Sequence, residues 1–178
     1  MSREQADYAR LFHDLETQRL ALIAEISAWP VARQCFRPSP GTWCAVEVLD
    51  HIVRAESGTV ADVRDGLRHP HPLGTEERPR IAALDRALRS DGTFQVPATA
   101  AAIHPDPGTT LPDVVARWEQ SRAELAALLQ TLSPAETQCG VFHHPFAGWM
   151  TVGDVLDHFA AHLFHHEFQL ARLRAAFA

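Results

Sequence analysis

The sequence predicts an all-α protein built as a four-helix bundle, with a long crossover between the second and third helices. Three observations lead there. Four segments repeat apolar residues at helical spacing, strand signals are almost absent, and about 45 residues separate the second segment from the third. All 178 residues fit a single domain with room for a core.

The first helix is expected over residues 3–29, where Tyr8, Leu11, Leu15, Leu22 and Ile26 mark one face and Pro30 stops the run. Residues 31–41, with Pro38 and Pro40, read as a connection. The second helix is expected over about 44–65, with Val48, Ile52, Ala55 and Thr59 inward and a break at Gly66. Residues 66–110 are punctuated by Pro and Gly and hold one short helical patch, near 81–88. A connection of that length is expected to cover something, which makes it the candidate lid. The third helix begins near Pro112, a residue suited to a first turn, and runs through Val115, Trp118, Leu125, Leu128 and Leu132 to Ser133-Pro134. The fourth starts at Thr151, with Asp154 placed for a capping box, and continues to the end of the sequence.

Composition removes several classes of function. Sixteen basic residues against 22 acidic ones leave a net charge of −6, which does not suit general nucleic-acid binding. All the basic residues are Arg, and without Lys there is no lysine Schiff base, P-loop or pyridoxal anchor. There is no Asn and hence no N-glycosylation sequon. Cys35, Cys44 and Cys139 are odd in number and form no C-x-x-C pair, a usage that fits a reducing compartment. Residues 1–10 mix charges with no apolar stretch, and no apolar run reaches the roughly 18 residues of a membrane span. A cytoplasmic protein with no membrane partner is expected.

Two patterns point to a site. Residues 44–51 echo residues 151–158, sharing Val-Leu-Asp-His, and each copy opens a helix and follows a Trp (Trp43, Trp149). The second and fourth helices are thus expected to be pseudo-equivalent. The fourth helix also carries His158, His162, His165 and His166, of which 158, 162 and 166 are four apart and stack along one stripe. Two imidazoles from adjacent turns can share one metal ion, with a third ligand from another segment, and His51 is the natural candidate. Three neutral imidazoles leave a coordination position open, as in a catalytic site, and suit Zn, Ni or Fe(II). The competing reading is a solvated, pH-sensitive histidine face, but this stripe lies in an otherwise apolar helix where unliganded ring nitrogens are costly to bury. His165 lies about 100° round the helix from His166 and is expected to be exposed or to support a ligand from outside. No H-E-x-x-H and no Glu-x-x-His occurs, which excludes zincin and ferritin-like di-iron sites.

The run Trp43-Cys44-Ala-Val-Glu47-Val-Leu-Asp-His51, together with His162-Leu-Phe-His165-His166-Glu-Phe-Gln169, resembles the DinB superfamily, including proteins of the YfiT type. The resemblance extends to the helix order and the long second connection. It implies an antiparallel four-helix bundle, often a homodimer, with His51, His162 and His166 holding one divalent metal ion. Zinc or nickel comes first, iron or manganese after them, and His158 is an alternative ligand. Cys44 stands where the family has Ser or Thr as helix cap, and Glu167-Phe168 where Arg-Gly usually precedes the Gln.

Family activities are diverse, and the expectation here is a thiol S-transferase that joins a low-molecular-weight thiol to a small electrophile. The alternatives are a hydrolase using metal-bound water and, in a different class, a non-catalytic metal- or ligand-binding helical bundle. Glu47 is the candidate general base, with Asp154 its counterpart, although both sit in first turns where carboxylates cap helices. Gln169, one turn beyond His166, is the candidate for orienting that ligand or a bound water. Asp50 and Asp157 are expected to be solvated, and Trp43 and Trp149 to pack at the end of the bundle. Arg122 is expected to pair with Glu119 within its helix rather than with a substrate carboxylate. His143-His144 and His69-Pro-His71 are loop histidines that could approach the open face.

Overall fold

The computed structural model describes residues 3–92, 96 and 98–177. Helices dominate. Four long ones, α1 (Arg3–Ser27), α3 (Ala45–Gly66), α5 (Leu111–Thr131) and α6 (Val152–Ala176), fall where the apolar repeats place them. α1 packs against α5 and α6, and α3 packs against the same two. Between them Leu15, Ile26, Leu49, Ile52, Trp118, Leu125, Phe159 and Leu163 form a core that is almost fully closed to water. Among the described residues, no helix is long and apolar enough to cross a membrane.

Capping chemistry sets the helix starts. Thr110 and Asp113 form a capping box before α5, with Pro112 in its first turn, and Thr151 and Asp154 form another before α6. At α3 the Glu47 carboxylate accepts from the Cys44 N–H at 2.9 Å. Past Pro30 the chain makes a one-turn helix, α2 (Val31–Gln34), inside the stretch that reads as a connection.

The crossover also has more structure than its sequence suggests. α4 (Glu77–Leu88) begins before the helical patch at 81–88 and packs against α6, and a 3₁₀ segment (Ala98–Ile103) packs against α3. A two-stranded antiparallel hairpin, β1 (Phe142–His144) with β2 (Gly148–Met150), precedes α6. Strands of three residues are too short to show an alternating pattern, so nothing in the sequence marks them. Gly148 turns the chain at φ 78°, a conformation that favours glycine. Gly66 closes α3 without a side chain because a Cβ there would overlap the Val141 carbonyl.

A buried ionic cluster in the core joins α3 to α5. The Glu56 carboxylate, 1% exposed, accepts from Trp118 Nε1 at 2.7 Å and from Arg122 Nη2 at 2.8 Å. Arg122 therefore pairs across the interface with Glu56, and more distantly with Glu16 at 3.5 Å, instead of with Glu119. Burial pushes the Glu56 carboxyl up, and the Arg122 guanidinium opposes it. Replacing Arg122 by Leu strands that carboxylate in the core and is expected to cost about 3–5 kcal/mol in urea denaturation. Glu56→Gln added to Arg122→Leu keeps an uncharged acceptor for Trp118 and is expected to recover most of the loss. A double variant no more stable than the single one would show that the charge pair is not the unit at stake.

Candidate metal centre

Packing of α3 against α6 brings His51 to the His162–His166 stripe. The three Nε2 atoms face one another, with His162 Nε2 3.3 Å from His51 Nε2 and 3.0 Å from His166 Nε2. Three imidazoles arranged tetrahedrally around zinc, each about 2.0–2.1 Å from it, would hold their nitrogens about 3.3 Å apart. All three potential ligand atoms lie within 4.8 Å of one another.

Their outer nitrogens explain the orientation. His51 Nδ1–H donates to the Ile103 carbonyl at 2.7 Å, and His166 Nδ1–H donates to Gln169 Oε1 at 2.9 Å. Each ring then presents a bare lone pair at Nε2. His162 Nε2, lying between them, can donate a hydrogen bond to at most one of those lone pairs, so the cluster is left with an excess of acceptors that a cation would satisfy. Burial lowers the pKa of all three, with that of His166 reaching about 3 and the neighbouring His51 adding to the effect. They are neutral near pH 7, as ligands must be.

His158 stays outside this group. Its ring stacks on His162 at 5.9 Å between centroids and meets His144 edge-on at 5.0 Å, and its Nδ1 is buried without a hydrogen-bond partner. His144 in turn accepts from the Phe146 and Ala147 N–H groups at 3.2 and 3.3 Å, so it shapes the hairpin tip. His71 stacks on Trp149 at 4.3 Å, with His143 against the other ring edge at 5.1 Å, and these form a separate aromatic group at the hairpin. Trp43 lies beside the centre, its ring 5.0 Å from that of His51.

The carboxylates divide clearly. Glu47 binds the Cys44 N–H and Arg37, and these hydrogen bonds outweigh the rise that burial causes, holding its pKa below the ordinary value. The Asp154 carboxylate accepts from the Thr151 N–H at 2.9 Å and from Arg78 at 2.7 Å. Both acids are occupied as caps. Asp157 is exposed as expected, but Asp50 is fully buried. Its carboxylate accepts from Arg54 Nε at 3.1 Å, Arg117 Nη2 at 2.5 Å and the Asp106 N–H at 2.7 Å. The acid expected in solvent thus anchors the crossover three residues beyond Ile103, whose carbonyl orients His51. His165 is also buried, at 7% exposure, with the Leu88 backbone as partner. The Ile103 carbonyl has no signal in the sequence, because a backbone acceptor carries no residue type.

A cavity of about 480 Å³ opens beside the centre, between Trp43 and the C-terminal half of α6, with His166 and Gln169 in its wall. It lies within the size range of small-molecule sites. The sequence profile of one family, described as the DinB superfamily, matches residues 14–170. The chain belongs to the DinB superfamily. Searches of curated proteins and of solved structures found no match. For this DinB protein the family match spans all three converging histidines, both capped helix starts and the crossover between them.

Two outcomes follow from the buried rings. Gln169→Leu removes the acceptor that fixes His166 and is expected to weaken zinc binding about 10–100-fold, read by competition with a chromophoric chelator. An unchanged affinity would show that the helix alone orients the ring. Acid should also destabilise the metal-free protein. His144 (pKa about 4) and His158 (about 3) stay neutral in the fold, while the unfolded chain protonates them near 6.5. Below that pH the unfolded state binds more protons, so stability falls as pH drops toward 4, by about 1.4 kcal/mol per pH unit for each such ring. Urea midpoints between pH 7.5 and 4.5 should show this slope, and His158→Gln should flatten it by about that amount per unit.

Proposed function

We propose that this DinB-superfamily protein is a metal-dependent thiol S-transferase, holding one divalent ion, zinc or nickel first, on His51, His162 and His166. The observation that carries the metal assignment is the convergence of three Nε2 atoms, those of buried His51 and His166 and of half-buried His162, two of them left without a proton because Ile103 and Gln169 take the Nδ1–H. Held by these three histidines, a divalent ion would supply Lewis acidity, lowering the pKa of a bound thiol or water. The protein's own groups do the rest. Ile103 and Gln169 keep the ligand lone pairs aimed inward, and Trp43 and Leu173 give the adjoining cavity an apolar wall that limits water and receives the electrophile. The choice of thiol over water rests on the family resemblance. An antiparallel four-helix bundle acting as a cytoplasmic homodimer on small molecules belongs to the same proposal.

Elemental analysis of tag-free protein tests it. About one divalent ion per chain is expected, lost in His51→Ala, His162→Ala and His166→Ala and kept in His158→Ala. Loaded protein should then consume a small electrophile only when a thiol is supplied. Turnover with water alone would make it a hydrolase, metal without turnover would leave a binding bundle, and a folded protein that takes up neither zinc nor nickel would overturn the metal reading.

A further inference from the structure

The cavity beside the metal centre has a polarity of its own. Among the described residues that line it, the charged or ionisable ones are His165, His166 and Arg172, and none is a carboxylate. A second cavity, on the other side of His158, is instead lined by Asp85, Asp154 and Asp157 as well as Arg78 and Arg89. The two openings flanking the histidine stripe therefore differ in charge, and only the first carries Trp43, His166 and Gln169.

Arg172 sits at the outer end of the first cavity. It lies six residues beyond His166 on α6, about 9 Å along the helix axis. Its Nη1 donates to Asp91 at 2.7 Å, with the two side chains 48% and 68% exposed. An ion pair that open to water contributes little, so an incoming carboxylate can take the place of Asp91 at small cost. A guanidinium also accepts a carboxylate through two parallel N–H donors, a better match than a neutral amide. The cavity that Arg172 shares with His166 is also lined by Pro38, Trp43, Leu173 and Ala176, an apolar surface that suits a small apolar body such as one aromatic ring.

From this geometry we infer that the cavity is a binding site for small carboxylates, with Arg172 gripping the anion and Trp43 flanking an apolar body that reaches toward the metal centre. The inference deepens the proposed function by naming the class of its substrate, and it rests on that function only for the chemistry at the reacting end. The carboxylate grip needs no metal. Asp91 acts as a surrogate anion that holds Arg172 in place until the substrate arrives.

The test is calorimetric titration of the full chain with 3-phenylpropionate and with its uncharged isostere, 3-phenylpropionamide, on chelator-treated and on zinc-loaded protein. Chelator-treated wild type is expected to bind the carboxylate about tenfold more tightly than the amide, the increment of one charge-assisted bidentate contact. Arg172→Gln should abolish that preference, Asp91→Asn should strengthen carboxylate binding, and Arg89→Gln in the other cavity should change neither. Equal binding of acid and amide by the metal-free wild type, or a preference that survives in Arg172→Gln, overturns the inference. Should Arg172→Gln fail to fold, Asp91→Asn decides the matter by itself, because weaker or unchanged carboxylate binding contradicts the exchange of partners. Failure of zinc to bind would count against the proposed function alone, since the metal-free titration still decides the carboxylate site.

Discussion

The Asp50 carboxylate ties three parts of the chain together, and the orientation of the histidine cluster hangs on that tie. From α3 it reaches Arg54 on its own helix, Arg117 on α5 and the backbone of Asp106 in the crossover. A carboxylate with no exposure to water is tolerated because three donors, two of them cationic, replace its hydration. Fixing Asp106 fixes the segment that ends at Ile103, and the Ile103 carbonyl in turn selects the tautomer of His51. Asp50 thus acts on the neighbouring His51 by way of a backbone carbonyl 52 residues downstream of it.

The same logic appears on the other helix in shorter form. Gln169, one turn after His166, performs locally what Asp50 and Ile103 accomplish at long range. The two helices that bear the ligands also begin alike, since each has a carboxylate in its first turn that accepts from the preceding N–H and is held by an arginine, Arg37 for Glu47 and Arg78 for Asp154. The echo in the sequence is therefore real as local structure. It does not extend to the ligands. His51 and His158 occupy equivalent places in the two helices, yet His51 joins the cluster while His158 packs against His144 and stacks on His162.

Two buried charge clusters divide the labour within the core. Glu56, Arg122 and Trp118 link α3 to α5 within the core, and Asp50 with Arg117 links the same helices near the crossover. Buried ionic groups add less to stability than apolar packing of the same volume, but their directionality restricts how two helices can slide past one another. A histidine cluster whose nitrogens sit 3.0–3.3 Å apart depends on such a fixed register, because small shifts between helices would separate the rings.

Features that are local along the chain are legible in its residues. Apolar spacing places α1, α3, α5 and α6, the Thr151-x-x-Asp154 box and Pro112 mark helix starts, and the four-residue rhythm of His162 and His166 announces a shared face. These follow from helix geometry and need no partner. Whatever depends on residues distant in sequence waits for the packed chain: that Asp50 and His165 lie inside, that Arg122 crosses to Glu56, and that the two α6 histidines facing His51 are His162 and His166 and not His158. The Ile103 carbonyl and the short hairpin belong with these, because backbone groups are the same at every position and leave no mark in residue type. Periodicity tells which residues share a face, but only the packing of one face on another tells which groups touch.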